Sequence, residues 1–377
     1  MLERKRIRVM HVVSSLGTYG AEQVVLQLSR AFPRDAFETS VMTIYSPDPV
    51  VAAAQHEAGI ALFDMRRGGR FDATLLPRMI ATIALRRPDI VHTHTHYGKY
   101  WGRVAALAAF TPTIVHTEHN SEFESKPAYR AVNAQLHRRT AAIVAFSQIH
   151  KDRLAEAESI DRARMHVIPN GIVTPPVDCD RSLRAELAGA DAATVMLHIG
   201  RLSPVKNQAL AIDAFHAAMQ RERRPLRLYL AGDGEDRGAL EARVRTLGIA
   251  DRVGFLGFRT DVAALLAASD RCIVTSRNEA MPIAVLEAMF AATPIVSTPW
   301  IGAAELFEDG TLASICTEPA PDSLADAIVA SLNDSTSAAA KAERAAERAQ
   351  ARYTIDAMAN AHASLYAQLF TARKAAR

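Results

Sequence analysis

Cysteine is scarce in this chain of 377 residues, and long apolar runs do not occur in it. The three cysteines, Cys179, Cys272 and Cys316, lie far apart without a paired spacing, so the sequence predicts neither a disulfide framework nor a thiolate metal site. No apolar run approaches the ~20 residues that a bilayer span requires. The charged start, Met1 to Arg8, leads directly into a strand-like run and does not resemble a secretory signal. We therefore expect a cytoplasmic protein.

Positive charge is concentrated in the first half of the chain. Residues 1–175 contain 22 Lys and Arg against 16 Asp and Glu, whereas the remainder contains 22 against 25. A basic half suits an anionic acceptor or peripheral contact with the anionic inner face of a membrane. The basic residues are scattered rather than clustered, which favours an ordinary solvated surface. Both interpretations stay open, and we expect no nucleic-acid partner.

Strand-like and helix-like segments alternate along most of the chain. One alternation runs from Ile7–Val13 to Gln148–Ala157 and includes helices predicted at Tyr97–Phe110 and Lys126–Thr140; a second runs from Val195–Ile199 to Ile283–Phe290. Parallel strands need crossover connections, so this alternation predicts two doubly wound α/β domains. Pro-Asn-Gly and Pro-Pro turns place the boundary near Thr174. The predicted domains are residues 1–174 and 175–354, with a helical segment at 355–377.

The stretch Ser276 to Val296 predicts an anion site. A short apolar strand ends before it, and a helix-forming segment, Ile283–Phe290, follows a loop. The N-terminus of such a helix exposes unpaired N–H groups and the positive end of the helix dipole. Glu279 lies in the loop and Glu287 one turn inside the helix. On spacing alone, a plain near-cap role for Glu279 and a solvated Glu287 are together as good an interpretation as a binding role for both.

A second stretch, Val195 to Asn207, places two cations five positions apart between a strand and a helix. Arg201 can donate two N–H bonds to phosphate oxygens, and Lys206 adds a point charge. Taken alone, the two residues are typical of an exposed loop.

Together the two stretches resemble the donor-site signature of the retaining family 4 glycosyltransferases. The resemblance implies a GT-B fold, in which two tandem Rossmann-like parallel-sheet domains face a cleft and a C-terminal helix crosses back to the first domain. It implies that residues 1–174 serve the acceptor and 175–354 the donor. In the family, the positions of Glu279 and Glu287 hold the transferred sugar and the ribose, while Arg201 and Lys206 hold the diphosphate. Ala280 stands where the family often has glycine.

Glycines after another strand admit two interpretations. Gly232, Gly234 and Gly238 imitate a dinucleotide-binding fingerprint, which would indicate a dehydrogenase, but such a match alone is weak. The resemblance explains them differently, because family members often carry Ala-Gly-Asp-Gly followed by Phe-Leu-Gly near the nucleobase. It implies donor contacts at the positions of Gly232, Leu256, Met281 and Ile283. It implies two more at Gly17 and Gly20, although Tyr19 replaces a glycine that the family tends to have.

Histidines mark the ends of two predicted strands. His92, His94 and His96 would project to one side of a strand, roughly 7 Å apart in succession, too far to share one ion unless the strand ends between them. The spacing therefore favours polar strand-end residues over a metal site. After the next strand come Glu118 and His119, which should face opposite sides. The resemblance makes His119 a catalytic residue facing the transferred sugar.

The sequence thus predicts a metal-independent retaining glycosyltransferase without a cofactor. It would move a sugar from a nucleotide diphosphate, a UDP-sugar before a GDP-sugar, to an acceptor hydroxyl. Catalytic residues would be His119, Arg201, Lys206 and Glu279. The acceptor implied by the family's breadth is a cell-surface polysaccharide or a lipid-linked glycan. The alternatives are an epimerase of the same fold and a nucleotide-sugar-binding protein without catalysis.

Overall fold

The computed structural model describes residues 6–17, 20–69, 71–119, 127–174 and 180–375. Tyr19, Lys126 and Cys179, which the sequence analysis names, lie outside these ranges. The chain forms two compact units. Unit 1 comprises residues 1–173 and 354–377, and unit 2 comprises residues 174–353. The predicted limits differ from these by one residue.

Unit 1 is built on a seven-stranded parallel sheet covered by helices. Its strands are β1 Ile7–Val13, β2 Phe37–Thr43, β3 Ala61–Asp64, β4 Ile90–Thr93, β5 Thr113–Thr117, β6 Ala142–Ala145 and β7 Met165–Val167. Its first seven helices are α1 Gly20–Ala31, α2 Pro49–Glu57, α3 Leu75–Arg86, α4 Thr95–Tyr97, α5 Arg103–Ala108, α6 Pro127–Arg138 and α7 Gln148–Glu158. The strand order is β3-β2-β1-β4-β5-β6-β7. β1, β4 and β6 are almost entirely buried, as expected for strands covered on both faces.

Unit 2 repeats this architecture with six parallel strands. The strands are β8 Thr194–Ile199, β9 Leu226–Ala231, β10 Val253–Gly257, β11 Arg271–Val274, β12 Ile295–Ser297 and β13 Ser314–Ile315. The helices are α8 Arg181–Ala188, α9 Gln208–Arg221, α10 Arg237–Thr246, α11 Val262–Ala267, α12 Ile283–Phe290, α13 Ala303–Leu306, α14 Pro321–Asn333 and α15 Ser335–Arg352. The strand order is β10-β9-β8-β11-β12-β13. The doubly wound class predicted for both halves is confirmed.

The last helix, α16 Ile355–Ala375, belongs to unit 1 although it follows unit 2 in the chain. Its start is fixed to unit 1 by a backbone hydrogen bond from Ile355 to the carbonyl of Ile172. Gly171 permits this approach, because a Cβ there would lie 2.3 Å from the Thr354 carbonyl oxygen. The predicted return of the C-terminal helix to the first domain is therefore confirmed.

Several segments differ from their prediction. The region predicted as one helix, Tyr97–Phe110, contains α4, a π-helical turn at Gly98–Gly102 and α5. Gly98 forces the change, because its Cα packs against β1 so closely that a Cβ would lie 2.6 Å from the Val12 carbonyl oxygen. The sequence analysis did not identify β3, α3, β7, α8 or β12. Among the described residues, no helix combines the length and apolarity needed to cross a membrane.

Candidate active site

In unit 2 the predicted donor residues converge on one place in the sheet. After β8 the chain continues to β9 on one side of the sheet, and after β11 it continues to β12 on the other side. The carboxyl ends of the neighbouring strands β8 and β11 therefore flank a topological switch point, where doubly wound sheets bind ligands. The loop after β8 contains Arg201 and Lys206, and the loop after β11 contains Glu279. The two stretches that the sequence separates by some seventy residues therefore meet at the same edge.

Hydrogen bonds hold these two loops against each other. The Thr275 hydroxyl donates to the Lys206 carbonyl at 2.9 Å, and the Arg277 amide donates to the Val205 carbonyl at 2.8 Å. Lys206 Nζ then lies 2.5 Å from Glu279 Oε1, with both side chains about one-fifth exposed. A cation and a carboxylate are thus fixed side by side at the mouth of the switch point.

Arg201 is placed differently from Lys206. Its Nε donates to Glu235 Oε2 at 3.0 Å, and both side chains are about half exposed. An exposed ion pair of this kind contributes only about 0–1 kcal/mol. A diphosphate, which offers more charge and more acceptor oxygens than one carboxylate, can therefore compete with Glu235 for this guanidinium.

The N-terminus of α12 adds donors beside the ion pair. Pro282 is its cap residue, and the first acceptor for helix amides is the Pro282 carbonyl, which receives the Val285 amide. The amides of Ile283 and Ala284 have no acceptor within the described part of the chain. A narrow pocket beside them is lined by Lys206, Ser276, Pro282 and Ala284. Two free N–H groups, the helix dipole and Lys206 make this pocket suited to an anion.

Glu287 lies one turn inside α12 and is partly buried rather than fully solvated. Burial raises its pKa to about 7, and the positive charge of Lys206 acts in the opposite direction. A carboxyl group that is half ionised near neutral pH can both accept and donate hydrogen bonds.

The remaining predicted donor residues line the same edge of unit 2 or lie next to it. Gly232 has a φ of 145°, and a Cβ there would lie 2.1 Å from the Gly200 carbonyl oxygen, so glycine lets the loops after β8 and β9 touch. Met281 is buried just before α12, and Ile283 is its first residue. Leu256 lies half-buried on β10, which is the edge strand two places from β8.

In unit 1, histidines gather at the carboxyl ends of β1, β4 and β5. His11 Nδ1 lies 3.0 Å from His94 Nε2, and His94 Nδ1 lies 3.1 Å from His119 Nε2. His92 contacts two hydroxyl groups, those of Tyr366 at 2.6 Å and Thr117 at 2.7 Å. His96, by contrast, is exposed on α4.

The expected separation of His92 and His94 is wrong. Their ring centroids lie 4.0 Å apart because β4 ends at Thr93, between them, so the regular strand spacing does not apply. Ring nitrogens of His11, His92 and His94 all lie within 4.8 Å of one another, close enough for a metal ion. However, both nitrogens of His92 and of His94 already have hydrogen-bond partners, and the cluster contains no carboxylate to balance a buried cation. The geometry therefore favours a hydrogen-bonded imidazole cluster.

Glu118 and His119 face different surroundings, as their positions predict. Glu118 is buried and lies 2.6 Å from Lys99 Nζ, which also binds Glu158 at 2.7 Å. Burial alone would raise the pKa of Glu118, but Lys99 and His116 hold it well below its ordinary value. His119 is half-buried beside His94 and the edge of the Phe146 ring.

Gly17 and Gly20 border the loop after β1. The Gln23 side chain donates to the Gly17 carbonyl at 2.7 Å, and Gly20 begins α1. A Cβ on Gly17 would meet Glu22 Oε2 at 2.9 Å, a flexible side chain that can move. Steric need therefore does not explain a glycine at position 17.

Two family models cover most of the chain. The model described as “Glycosyltransferase Family 4” matches residues 18–174, and the model described as “Glycosyl transferases group 1” matches residues 180–352. The chain belongs to the family 4 glycosyltransferases.

Relatives and solved structures agree with this membership. The glycosyltransferase is 27% identical over 313 residues to a UDP-Gal:alpha-D-GlcNAc-diphosphoundecaprenol alpha-1,3-galactosyltransferase of Escherichia coli, covering 77% of this chain and 79% of the relative. It is 25% identical to a D-inositol 3-phosphate glycosyltransferase of Actinosynnema mirum, covering 86% and 88%. The crystal structure of Anabaena HepE in complex with UDP-glucose superposes with a TM-score of 0.82 at 23% identity, covering 96% and 100%. The GT-B fold predicted from the sequence is confirmed.

Family membership decides between the two interpretations of the glycines after β9. In the glycosyltransferase, Gly232 and Gly234 pack against the backbone of Gly200 and Leu202, while nothing lies within 4 Å of a Cβ built on Gly238. These glycines therefore hold two loops together, and the dehydrogenase interpretation is wrong.

The sequence analysis missed two histidines of the glycosyltransferase. His11 lies in the middle of an apolar strand, and His198 at the end of β8, where its Nε2 lies 3.0 Å from the Thr275 hydroxyl. Burial lowers the pKa of His198 to about 3, with a further contribution from Lys206. A polar residue inside an otherwise apolar buried strand was the available signal for both.

Proposed function

We propose that this protein is a retaining, metal-independent glycosyltransferase that uses a UDP-sugar. It would transfer the sugar to a hydroxyl of a cell-surface polysaccharide or a lipid-linked glycan. The observation that carries the proposal is the ion pair of Lys206 and Glu279, held at the switch point beside the free N–H groups of α12.

The proposed reaction needs positive charge where the donor's diphosphate leaves. As the bond between the sugar and the diphosphate breaks, negative charge grows on the leaving oxygen. Lys206, Arg201 and the α12 amides supply preorganised positive potential there, which is the largest single effect available to such a site. In the proposed mechanism these groups offset the charge of the diphosphate without a metal ion.

Carboxylates of unit 2 would hold the hydroxyl groups of the donor. Glu287 would accept from the ribose, and Glu279, which Lys206 keeps in place, would accept from the transferred sugar. His119 in unit 1 would hydrogen-bond the same sugar. Support for UDP comes from the relatives, because the E. coli enzyme is named for UDP-Gal and the HepE crystal contains UDP-glucose.

The decisive experiment is incubation of the purified protein with UDP-, GDP- and ADP-sugars, followed by mass spectrometry. We expect slow hydrolysis of a UDP-sugar that persists in EDTA, with the anomeric configuration of the product retained by NMR. Release of an epimerised nucleotide sugar would indicate an epimerase, and binding without any hydrolysis or transfer would indicate a non-catalytic protein. A requirement for added divalent metal would contradict the metal-independent mechanism.

Removing either cation should slow turnover. Arg201→Ala and Lys206→Ala are expected to lose on the order of 10² in rate, as for the loss of one electrostatic stabiliser. Arg245→Ala is the matched control, because Arg245 is an exposed arginine of α10 outside the site. If both variants hydrolyse the donor at the rate of the control, the diphosphate is held elsewhere.

A further inference from the structure

Three imidazole rings in unit 1 form a continuous hydrogen-bonded chain. It starts at His11 in β1, passes through His94 after β4 and ends at His119 after β5, with nitrogen-to-nitrogen distances of 3.0 and 3.1 Å. The middle ring uses a different nitrogen for each neighbour, since His94 contacts His11 through Nε2 and His119 through Nδ1. This alternation makes the position of one proton depend on the position of the next.

The two ends of the chain have opposite surroundings. His11 Nε2 is buried without a hydrogen-bond partner, and the His11 ring packs near Phe32. His119 is half-buried, and its Nδ1 has no hydrogen-bond partner in the described part of the chain. Among the described residues the inner end is therefore buried and unpaired, while the outer end is partly exposed.

Only two proton arrangements fit this geometry. Burial lowers the pKa of His11 and of His119 to about 3 and the pKa of His94 well below its ordinary value. Each ring is then neutral near pH 7 and carries one proton. In the outward arrangement His11 donates to His94 and His94 donates to His119; in the inward arrangement both bonds are reversed.

The buried end decides between the two arrangements. The inward one puts an N–H on His11 Nε2, where the described residues offer no acceptor, whereas the outward one leaves only a lone pair there. Buried N–H groups without an acceptor are rarer in folded proteins than unpaired acceptors. The outward arrangement is accordingly the more stable.

We propose that His94, supported by His11, is a positioning residue that fixes His119 in the tautomer with its proton on Nδ1. His119 then presents an N–H donor to its ligand rather than a bare nitrogen. This inference rests on the proposed function, in which the ligand oxygen is a hydroxyl of the transferred sugar. It excludes His119 as the general base, because its remaining lone pair is occupied by His94.

The tautomers are measured directly by NMR on the full-length protein labelled with nitrogen-15 histidine, since protonated and bare ring nitrogens differ widely in chemical shift. His119→Phe assigns the His119 signals. We expect a protonated Nδ1 and a bare Nε2 on His119. In His94→Phe, which keeps a ring but removes both nitrogens, His119 should move toward the Nε2–H form that the side chain of free histidine prefers. His96→Phe, a change at the exposed neighbouring histidine, should leave the His119 signals unchanged.

Donor hydrolysis gives a second readout. His94→Phe should lower kcat roughly 10-fold with little change in KM. His94→Asn should keep most of the turnover, because its amide N–H lies near the position of Nδ1 and can still donate to His119. Equal kcat for the wild type and a correctly folded His94→Phe would refute the positioning role.

The two proposals fail in distinguishable ways. A wild-type His119 that carries its proton on Nε2 overturns the inference, whatever the activity. A protein that hydrolyses no nucleotide sugar overturns the proposed function, while the tautomer measurement, which needs no substrate, still decides the inference.

Discussion

Glu287 is the carboxyl group of the candidate donor site whose pKa is raised toward neutral pH. Its pKa of about 7 in the folded protein exceeds the ordinary value of 4.5. Between these two pH values the folded state binds more protons than the unfolded state, so the free energy of unfolding falls as pH rises. Above pH 7 the Glu287 carboxylate is charged in the folded protein. Its burial then lowers the free energy of unfolding by up to about 3 kcal/mol, the value that the pKa difference gives.

Glu287→Gln should therefore stabilise unit 2 at high pH. The variant cannot ionise, so its melting temperature should exceed that of the wild type at pH 8, and the difference should shrink toward zero near pH 4.5. Differential scanning calorimetry at several pH values measures this. Glu347→Gln, at an exposed position of α15, is the control and should show no such trend. A gain that is constant with pH would mean that the charge of Glu287 is not the cause.

The same residue should make donor binding depend on pH. A ribose hydroxyl binds better to a carboxylate than to a carboxylic acid, so UDP affinity should rise between pH 6 and pH 8. Isothermal titration calorimetry with wild type and Glu287→Gln tests this, since the variant should bind more weakly and with a flatter pH profile. Identical pH profiles would remove Glu287 from ribose recognition.

At the scale of elements, a buried side-chain hydrogen bond joins the middle of α16 to the sheet of unit 1. The Tyr366 hydroxyl lies 2.6 Å from His92 Nδ1, and the Tyr366 ring contacts Phe32 and Phe37. Tyr366→Phe keeps the ring contacts but leaves a buried imidazole nitrogen unpaired, which costs about 1–3 kcal/mol.

A double-mutant cycle isolates that bond. Tyr366→Phe, His92→Phe and the double variant are unfolded in urea in a Trp300→Phe background, so that Trp101 in unit 1 is the remaining tryptophan. The double variant should lose less stability than the sum of the single ones, because the bond can be broken only once. Strict additivity would show that the bond between Tyr366 and His92 does not contribute to the attachment of α16.

The elements that the sequence predicted at their observed bounds are those with long apolar runs. β1 and α12 occur at the predicted bounds because each is mostly apolar and mostly buried. β3 escaped prediction because it is a short edge strand that is only partly buried. α3 carries Pro77, which reads as a breaker but is tolerated in the first turn of a helix.

The candidate site, too, contains residues that the sequence predicts and contacts that it does not. The spacing of Glu279 and Glu287 and the family resemblance were enough to predict the unit 2 residues. The contact between Arg201 and Glu235 depends on the loop after β9, which no local pattern places beside β8. The His11, His94 and His119 chain depends on the pairing of β1 with β4 and of β4 with β5. Strand order is a tertiary property, so spacing along the chain could not reveal it.

At the scale of the whole molecule, charge separates by unit. Unit 1 contains 25 Lys and Arg against 17 Asp and Glu, whereas unit 2 contains 19 against 24. Some of the basic residues of unit 1 line a pocket of about 340 Å³ at the amino ends of β1, β4 and β5. These residues are Arg8, Arg87 and Arg373. Asp89, the acidic residue among the described lining residues, lies 3.5 Å from Arg8. The pocket therefore keeps a net positive charge.

An apolar side chain projects from the rim of this pocket. Phe110 is 91% exposed, in a left-handed conformation with φ of 54° directly after α5. Arginines beside an exposed aromatic ring are the combination that binds an anionic lipid surface, since the ring enters the interface and the cations meet the headgroups. This arrangement gives the predicted membrane contact a definite place on unit 1, which can be tested.

Co-sedimentation with vesicles tests whether unit 1 binds anionic lipid. We expect binding to vesicles containing phosphatidylglycerol at low salt, weaker binding at high salt because the charges are screened, and little binding to phosphatidylcholine. Arg87→Glu and Phe110→Ser should each reduce the bound fraction. Phe71→Ser is the matched control, because Phe71 is equally exposed but does not line the pocket. If the wild type fails to bind at low salt, or if Phe71→Ser weakens binding as much as Phe110→Ser, the pocket is not a lipid-binding surface and the basic charge of unit 1 serves a soluble anionic acceptor or solubility.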